Sequence, residues 1–185
     1  SIHRLHQRST NLFREAEEKH TQRHTEGEKI GEFFTLYGET LALDNEAPRF
    51  THASVVFEAF VYAAELEVEM DFRLRTAIEQ SADLLTVEMR ADKALAAFFR
   101  RILNSKRVAR TLSEMNDLGI LGKYIPEFDE LVAFFQHNVY HYFTADEHTL
   151  VAIANAERLR DQQGILREVF RNLKRKDILY MALLL

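Results

Sequence analysis

Between Leu118 and Leu150 the chain is punctuated more heavily than anywhere else. This stretch holds two of the six glycines, one of the two prolines and three of the eight histidines. Gly119 follows Leu118 where a left-handed helix cap falls, a conformation glycine adopts at little cost. Pro126 suits the first position of a new helix, because its missing N–H would lack an intrahelical partner anyway. Thr144-x-x-Glu147 has the spacing of a capping box, in which the hydroxyl accepts from the Glu147 N–H and the carboxylate reaches back. Thr144 and Glu147 are therefore read as a structural cap that starts a helix and places His148 in its first turn. Such punctuation allows only short helices joined by tight turns.

The rest of the chain keeps to that scheme. Ile2, Leu5, Leu12, Phe13 and Ala16 lie at near-helical spacing, whereas Glu17–Lys29 reads as a solvated helix end or loop. Phe34-x-Leu36 and Leu41-x-Leu43 alternate about Gly38 and predict a short β-hairpin. Val56, Phe57, Phe60, Val61 and Ala64 form a helical stripe best explained as core. Asp71 is placed to cap a helix carrying Leu74, Ala77 and Ile78. From Asp92 the spacing of Leu95, Phe98, Phe99, Ile102 and Leu103 predicts a helix stopping near Asn104. Another, from Ser105, carries Val108, Leu112 and Met115. Leu131, Val132, Phe134 and Phe135 would form the buried face of the helix opened by Pro126. The helix from Thr144 would close at Asp161–Gly164, with a further helical piece over Glu168–Leu173. Ile178–Leu185 is apolar at nearly every position and predicts a buried helix. The expected fold is mainly α, with one short β-hairpin.

Composition narrows the function. The chain is 46% hydrophobic and 29% charged, which is enough apolar content for a packed core. A net charge of −5 argues against a general nucleic-acid binder, which needs clustered Lys and Arg. With no cysteine there is no disulfide framework or thiolate chemistry. No stretch approaches the roughly 18 apolar residues of a membrane span. The expectation is a cytoplasmic protein that binds neither nucleic acid nor membrane. His20 and His24, like His137 and His141, stand four apart, but spacing alone makes neither pair a metal site.

Two blocks in order carry a specific likeness. Met115, Asn116, Gly119, Leu121, Gly122 and Tyr124 to Phe128 form the first; His141, Thr144 and Asp146 to Leu150 form the second. They resemble the segment of bacterial PII uridylyltransferase/uridylyl-removing enzymes that leads into the HD hydrolase domain. Phe143 and Ala145 depart mildly from the Tyr and Val usual there. The resemblance implies that residues 1–49 are the exit from a nucleotidyltransferase domain with the hairpin. It further implies that 50–135 form a helical connector and 136–185 the incomplete start of an HD-type all-α domain. The parent would transfer UMP from UTP to the PII signalling protein and hydrolyse it off again, using Mg or Mn.

By the same resemblance His148 matches the first metal ligand of the HD site. His141 and Asp146 would pack or support it, although Asp146 and Glu147 also suit a helix N-terminus as acids facing its dipole. His148, with Val151, Ala152 and Asn155, is expected on the inner face of its helix against Ile178–Leu185. No His-Asp pair and no nucleotidyltransferase motif occurs in residues 1–185, so this stretch alone is expected to be inactive. Two rival readings remain: a degenerate relative kept as a structural or regulatory module, and another nucleotidyltransferase with an HD appendage, such as a tRNA-nucleotidyltransferase-like protein. The second would need a basic RNA-binding face, against which the acidic balance counts.

Overall fold

A computed structural model describes residues 27–44, 50–135 and 145–185. The expected helix over the first eighteen residues, the Thr144 cap and the two histidine pairs lie outside them. The expected buried face of Leu131, Val132, Phe134 and Phe135 likewise falls on side chains outside those described.

Alternation about Gly38 does make a hairpin. β2 (Phe34–Tyr37) and β3 (Thr40–Leu43) pair antiparallel, with Phe34 opposite Leu43 and Tyr37 opposite Thr40. The register leaves a two-residue turn, and Gly38 at its first central position has φ +60°, as a primed hairpin turn requires. Two strands lie outside the expected hairpin. β1 (Glu28–Ile30) adds antiparallel to β2, in a segment read from sequence as a loop because it holds no large apolar alternation. β4 (Glu69–Met70) adds parallel to β3, completing the order β1-β2-β3-β4.

A parallel neighbour needs a crossover, and α1 (Ala53–Leu66) supplies it. Val56, Phe57, Phe60, Val61 and Ala64 are all buried, together with Ala53, Val55, Ala59 and Ala63, so α1 forms the centre of the core. It ends at Glu67, a non-glycine residue at φ 60°, whose N–H donates to the Ala63 carbonyl.

Caps then define the next helices. α2 (Phe72–Gln80) starts where Asp71 Oδ1 accepts from the Leu74 N–H at 2.7 Å. After two 3₁₀ turns, Ala82–Leu84 and Val87–Ala91, α3 (Lys93–Leu103) starts where Asp92 Oδ1 accepts from Ala94 at 2.6 Å and Leu95 at 3.3 Å. It stops at Asn104, whose side-chain amide donates to the Arg100 carbonyl. α4 (Val108–Asp117) begins later than the expected Ser105, because the Ser105 hydroxyl accepts from the Arg107 N–H in a local turn instead. Gly119, at φ +70°, turns the chain into α5 (Ile120–Tyr124), and Pro126 opens α6 (Pro126–Phe135). The Tyr124 ring lies edge-on to Phe57 at 4.9 Å and tilted against Phe99 at 5.1 Å, which seats α5 on α1 and α3.

α7 (Ala145–Arg158), α8 (Ile165–Asn172) and α9 (Lys176–Leu184) follow. α9 is not buried all round, contrary to its uniformly apolar sequence. Asp177, Tyr180 and Leu184 face inward at i, i+3 and i+7, whereas Ile178 is 53% exposed. Arg175 holds the buried Asp177 carboxylate through two hydrogen bonds, 2.9 and 2.8 Å, and keeps its pKa below the usual range. Arg100 of α3 approaches the same carboxylate at 3.8 Å, tying α9 back to the first half of the fold. One continuous apolar core runs from Phe34 to Leu184.

Candidate functional site

Of the sequence-predicted site residues, Asp146, Glu147 and His148 lie at the start of α7. Asp146 and Glu147 occupy its first turn, where acids complement the exposed N–H groups of a helix start. They differ sharply in setting. Asp146 is 7% exposed, and its Oδ2 accepts from Asn116 Nδ2 at 3.2 Å, while Oδ1 is buried without a hydrogen-bond partner among the described residues. Glu147 and His148 are exposed. His141 and Thr144 lie outside the described residues, so the Thr144–Glu147 box and the place of His141 beside the helix do not enter the geometry.

The helix period explains why His148 faces outward. Residues two apart on an α-helix are separated by about 200° around its axis, so burying Asp146 turns His148 away. The packed face of α7 runs through Asp146, Leu150, Ile153 and Glu157, with Ile153 fully buried. The expected inner face through His148, Val151 and Asn155 is therefore not the packed one: Val151 is 50% exposed and Asn155 is exposed. α9 packs against α7, and its own buried residues are Asp177, Tyr180 and Leu184.

The two sequence blocks do meet in space. Asn116, from the first, is the donor to Asp146, from the second, across thirty positions of sequence. Glu157, further along α7, accepts from the backbone N–H of Val108 at 2.9 Å through Oε1 and of Ala109 at 3.3 Å through Oε2. Its negative charge also bears on Tyr180: burial, and then Glu157, push the phenol up to about 12. Sequence reasoning missed Glu157, since nothing local marks a carboxylate whose partners lie 49 and 48 positions earlier. Asn116 carried a signal, its place in the first block, without any hint of its partner.

Among the described residues no group of three or more His, Asp or Glu side chains is placed to hold a metal ion. A catalytic metal ordinarily takes at least three protein ligands. His148 is exposed in the first turns of α7 and belongs to no such group. A groove is lined by Glu65, Ala97, Arg100, Arg101, Asn104 and Ser105, none of which is a sequence-predicted site residue. Its Arg101 is already engaged by both oxygens of Glu65, at 2.9 and 2.7 Å.

Comparison with known proteins agrees with the two blocks. The family model described as the uridylyltransferase GlnD third domain matches residues 34–124, from the first residue of β2 to the last of α5. The bifunctional uridylyltransferase/uridylyl-removing enzyme of Caulobacter vibrioides is 36% identical over 132 residues, 68% of this chain and 14% of the relative. The enzyme of the same name from Acinetobacter baylyi is 32% identical over 163 residues, 84% of this chain and 18% of the relative. That from Phenylobacterium zucineum is 36% identical over 116 residues, 60% of this chain and 12% of the relative. The chain thus spans less than a fifth of the length of these curated relatives. No solved structure gives a significant match. With a family domain matched over strands β2–β4 and the first five helices, and relatives of one name matched through most of its length, the chain belongs to the bifunctional uridylyltransferase/uridylyl-removing enzyme family, GlnD.

Proposed function

We propose that this chain is the inter-domain part of a bifunctional enzyme that attaches UMP from UTP to the PII signalling protein and removes it by hydrolysis. The observation that carries the reading is the match to enzymes so named over as much as 85% of the chain. β4 and α1–α6, within residues 50–135, act as the helical connector, and α7–α9 open the HD-type hydrolase domain. Residues 1–49 lead out of the nucleotidyltransferase part, which would bind UTP. The proposed setting is the cytoplasm; among the described residues no helix is long and apolar enough to cross a membrane.

In this reading His148 is one donor of the hydrolytic metal site, Mg or Mn. The described residues do not fit a metal by themselves, since no further His, Asp or Glu pair stands with it. What they supply is position: the first turns of α7 expose His148 and bury Asp146. Residues 1–185 alone are accordingly proposed to be inactive in both directions.

The test uses the full-length protein that carries this chain, with PII and UTP. His148→Ala is expected to abolish UMP release from PII and to leave UMP transfer within about twofold, because transfer belongs to another domain. Release unaffected by the substitution would remove His148 from the site. Wild-type protein that neither transfers nor releases UMP would favour the degenerate, regulatory relative instead.

A further inference from the structure

α4 begins without a side-chain cap of its own, so its first N–H groups need acceptors from elsewhere. Glu157 provides them from α7, one carboxylate oxygen to Val108 and the other to Ala109. A carboxylate on two N–H groups at a helix start gains both charge-assisted hydrogen bonds and the field of the helix dipole. Nearby, Arg160 Nη2 donates to the Lys106 carbonyl at 3.2 Å, on the turn that leads into α4.

At its other end α4 presents Asn116, and there the partner is Asp146 in the first turn of α7. The start of α4 therefore meets the end of α7, and the end of α4 meets the start of α7. The two helices run antiparallel and are tied at both ends. At about 1.5 Å per residue, Val108 to Asn116 covers about 12 Å and Asp146 to Glu157 about 16 Å, a difference that the Glu and Asn side chains span. Neither helix can slide by a turn, or rotate by one residue, without breaking both ties.

We infer that Glu157, Asn116 and Asp146 are positioning residues that fix the register of the His148-bearing helix on the connector. The inference rests on the functional reading above for its consequence, because the register it fixes is that of the proposed hydrolytic histidine. It rests on the contacts alone for its mechanism. Asp146 sits two positions before His148, so a change in how Asp146 seats is passed directly to the imidazole. Its buried, unpartnered Oδ1 makes Asn116 the one side-chain donor that the described residues offer it.

The experiment measures amide hydrogen exchange together with UMP release and UMP transfer in the full-length protein. Glu157→Ala is expected to speed exchange at the Val108 and Ala109 amides at least tenfold. It should also lower kcat for UMP release about tenfold or more, with little change in KM and none in transfer. Glu157→Gln, which keeps an acceptor for only one of the two N–H groups, should restore protection at one of the two amides and part of the release. Asn116→Asp, which sets a second carboxylate against the buried Asp146, should impair release, and the exchanged pair Asn116→Asp with Asp146→Asn should recover it. Asp71→Ala serves as control, because it removes the α2 cap and should destabilise the fold without changing release. Faster exchange at both amides with unchanged release would overturn the positioning role, as would loss of release in the Asp71 control equal to that in Glu157→Ala. Unchanged exchange would overturn the contact itself. If wild-type protein releases no UMP, the functional reading fails, and the exchange measurement still decides whether Glu157 holds α4.

Discussion

Tyr180 is the residue at which α7 and α9 share an electrostatic interest. It is 3% exposed, and burial, reinforced by Glu157, raises its pKa from 10 to about 12. The folded state thus favours the neutral phenol more than the unfolded chain does. That advantage is fully present below about pH 10 and is lost as pH climbs through about 12. A shift of about two units corresponds to at most about 2–3 kcal/mol. Denaturant unfolding between pH 9 and 12.5 should therefore show wild-type stability falling more steeply than that of Tyr180→Phe; parallel curves would mean that the phenol is not held neutral by the fold. Asp71 offers a simpler case. Its carboxylate is nearly buried and accepts from the Leu74 N–H at 2.7 Å, so Asp71→Ala should cost about 0.5–2 kcal/mol in chemical denaturation. Asp71 was legible from sequence because a cap acts on residues three positions away. Glu157 was not, because its partners are distant, and Asp146 was legible only as an acid near a helix start, with its burial hidden.

At the scale of elements the same contrast holds. Helix starts at Asp92 and Pro126 and the turn at Gly119 follow from local chemistry, and each appears where the residues placed it. β1 and β4 do not, since three- and two-residue strands exist only by pairing with a neighbour already in place. The orientation of α9 also escaped local reasoning: an all-apolar helix carries no periodic signal of which face is covered, and packing against α7 and α3 decides it. α1 ends against expectation for a non-glycine residue, with Glu67 in the left-handed region at φ 60°. Holding a residue with a Cβ there costs about 1–2 kcal/mol. The Glu67–Lys106 pair at 2.8 Å lies at the surface, where solvent screens it, and returns little of it. Glu67→Gly should consequently raise stability by up to about 1 kcal/mol, less whatever the glycine loses in the unfolded chain. Thermal unfolding in high salt would isolate the backbone effect, and a lower Tm for Glu67→Gly in high salt would contradict it.

Across the whole molecule, the question is whether the connector and the helices after residue 144 unfold together. Sequence resemblance divides them, and the residues themselves place no glycine- or proline-rich linker between. The core does not divide. Leu112 and Met115 of α4, Ile153 of α7 and Leu184 of α9 are each fully buried in one cluster that also contains Phe57 and Phe60 of α1. Because α4 touches both α1 and α7, apolar contact is continuous from the sheet to the last helix. Truncating Ile153 to alanine removes side-chain volume from a site with 0% exposure, which typically costs about 2–5 kcal/mol. If α7–α9 were a separate unit, that cost would fall on them alone, and unfolding would split into two steps. With a shared core it lowers the stability of everything. Ile153→Ala should therefore shift a single denaturant transition, with far-UV circular dichroism and tyrosine fluorescence still coincident. Met115→Ala, on the connector side of the same contact, should shift it by a similar amount. Two resolved transitions in Ile153→Ala, the first of them confined to amides after residue 144, would show instead that the helices carrying His148 hold to the connector only through the ties at the two ends of α4.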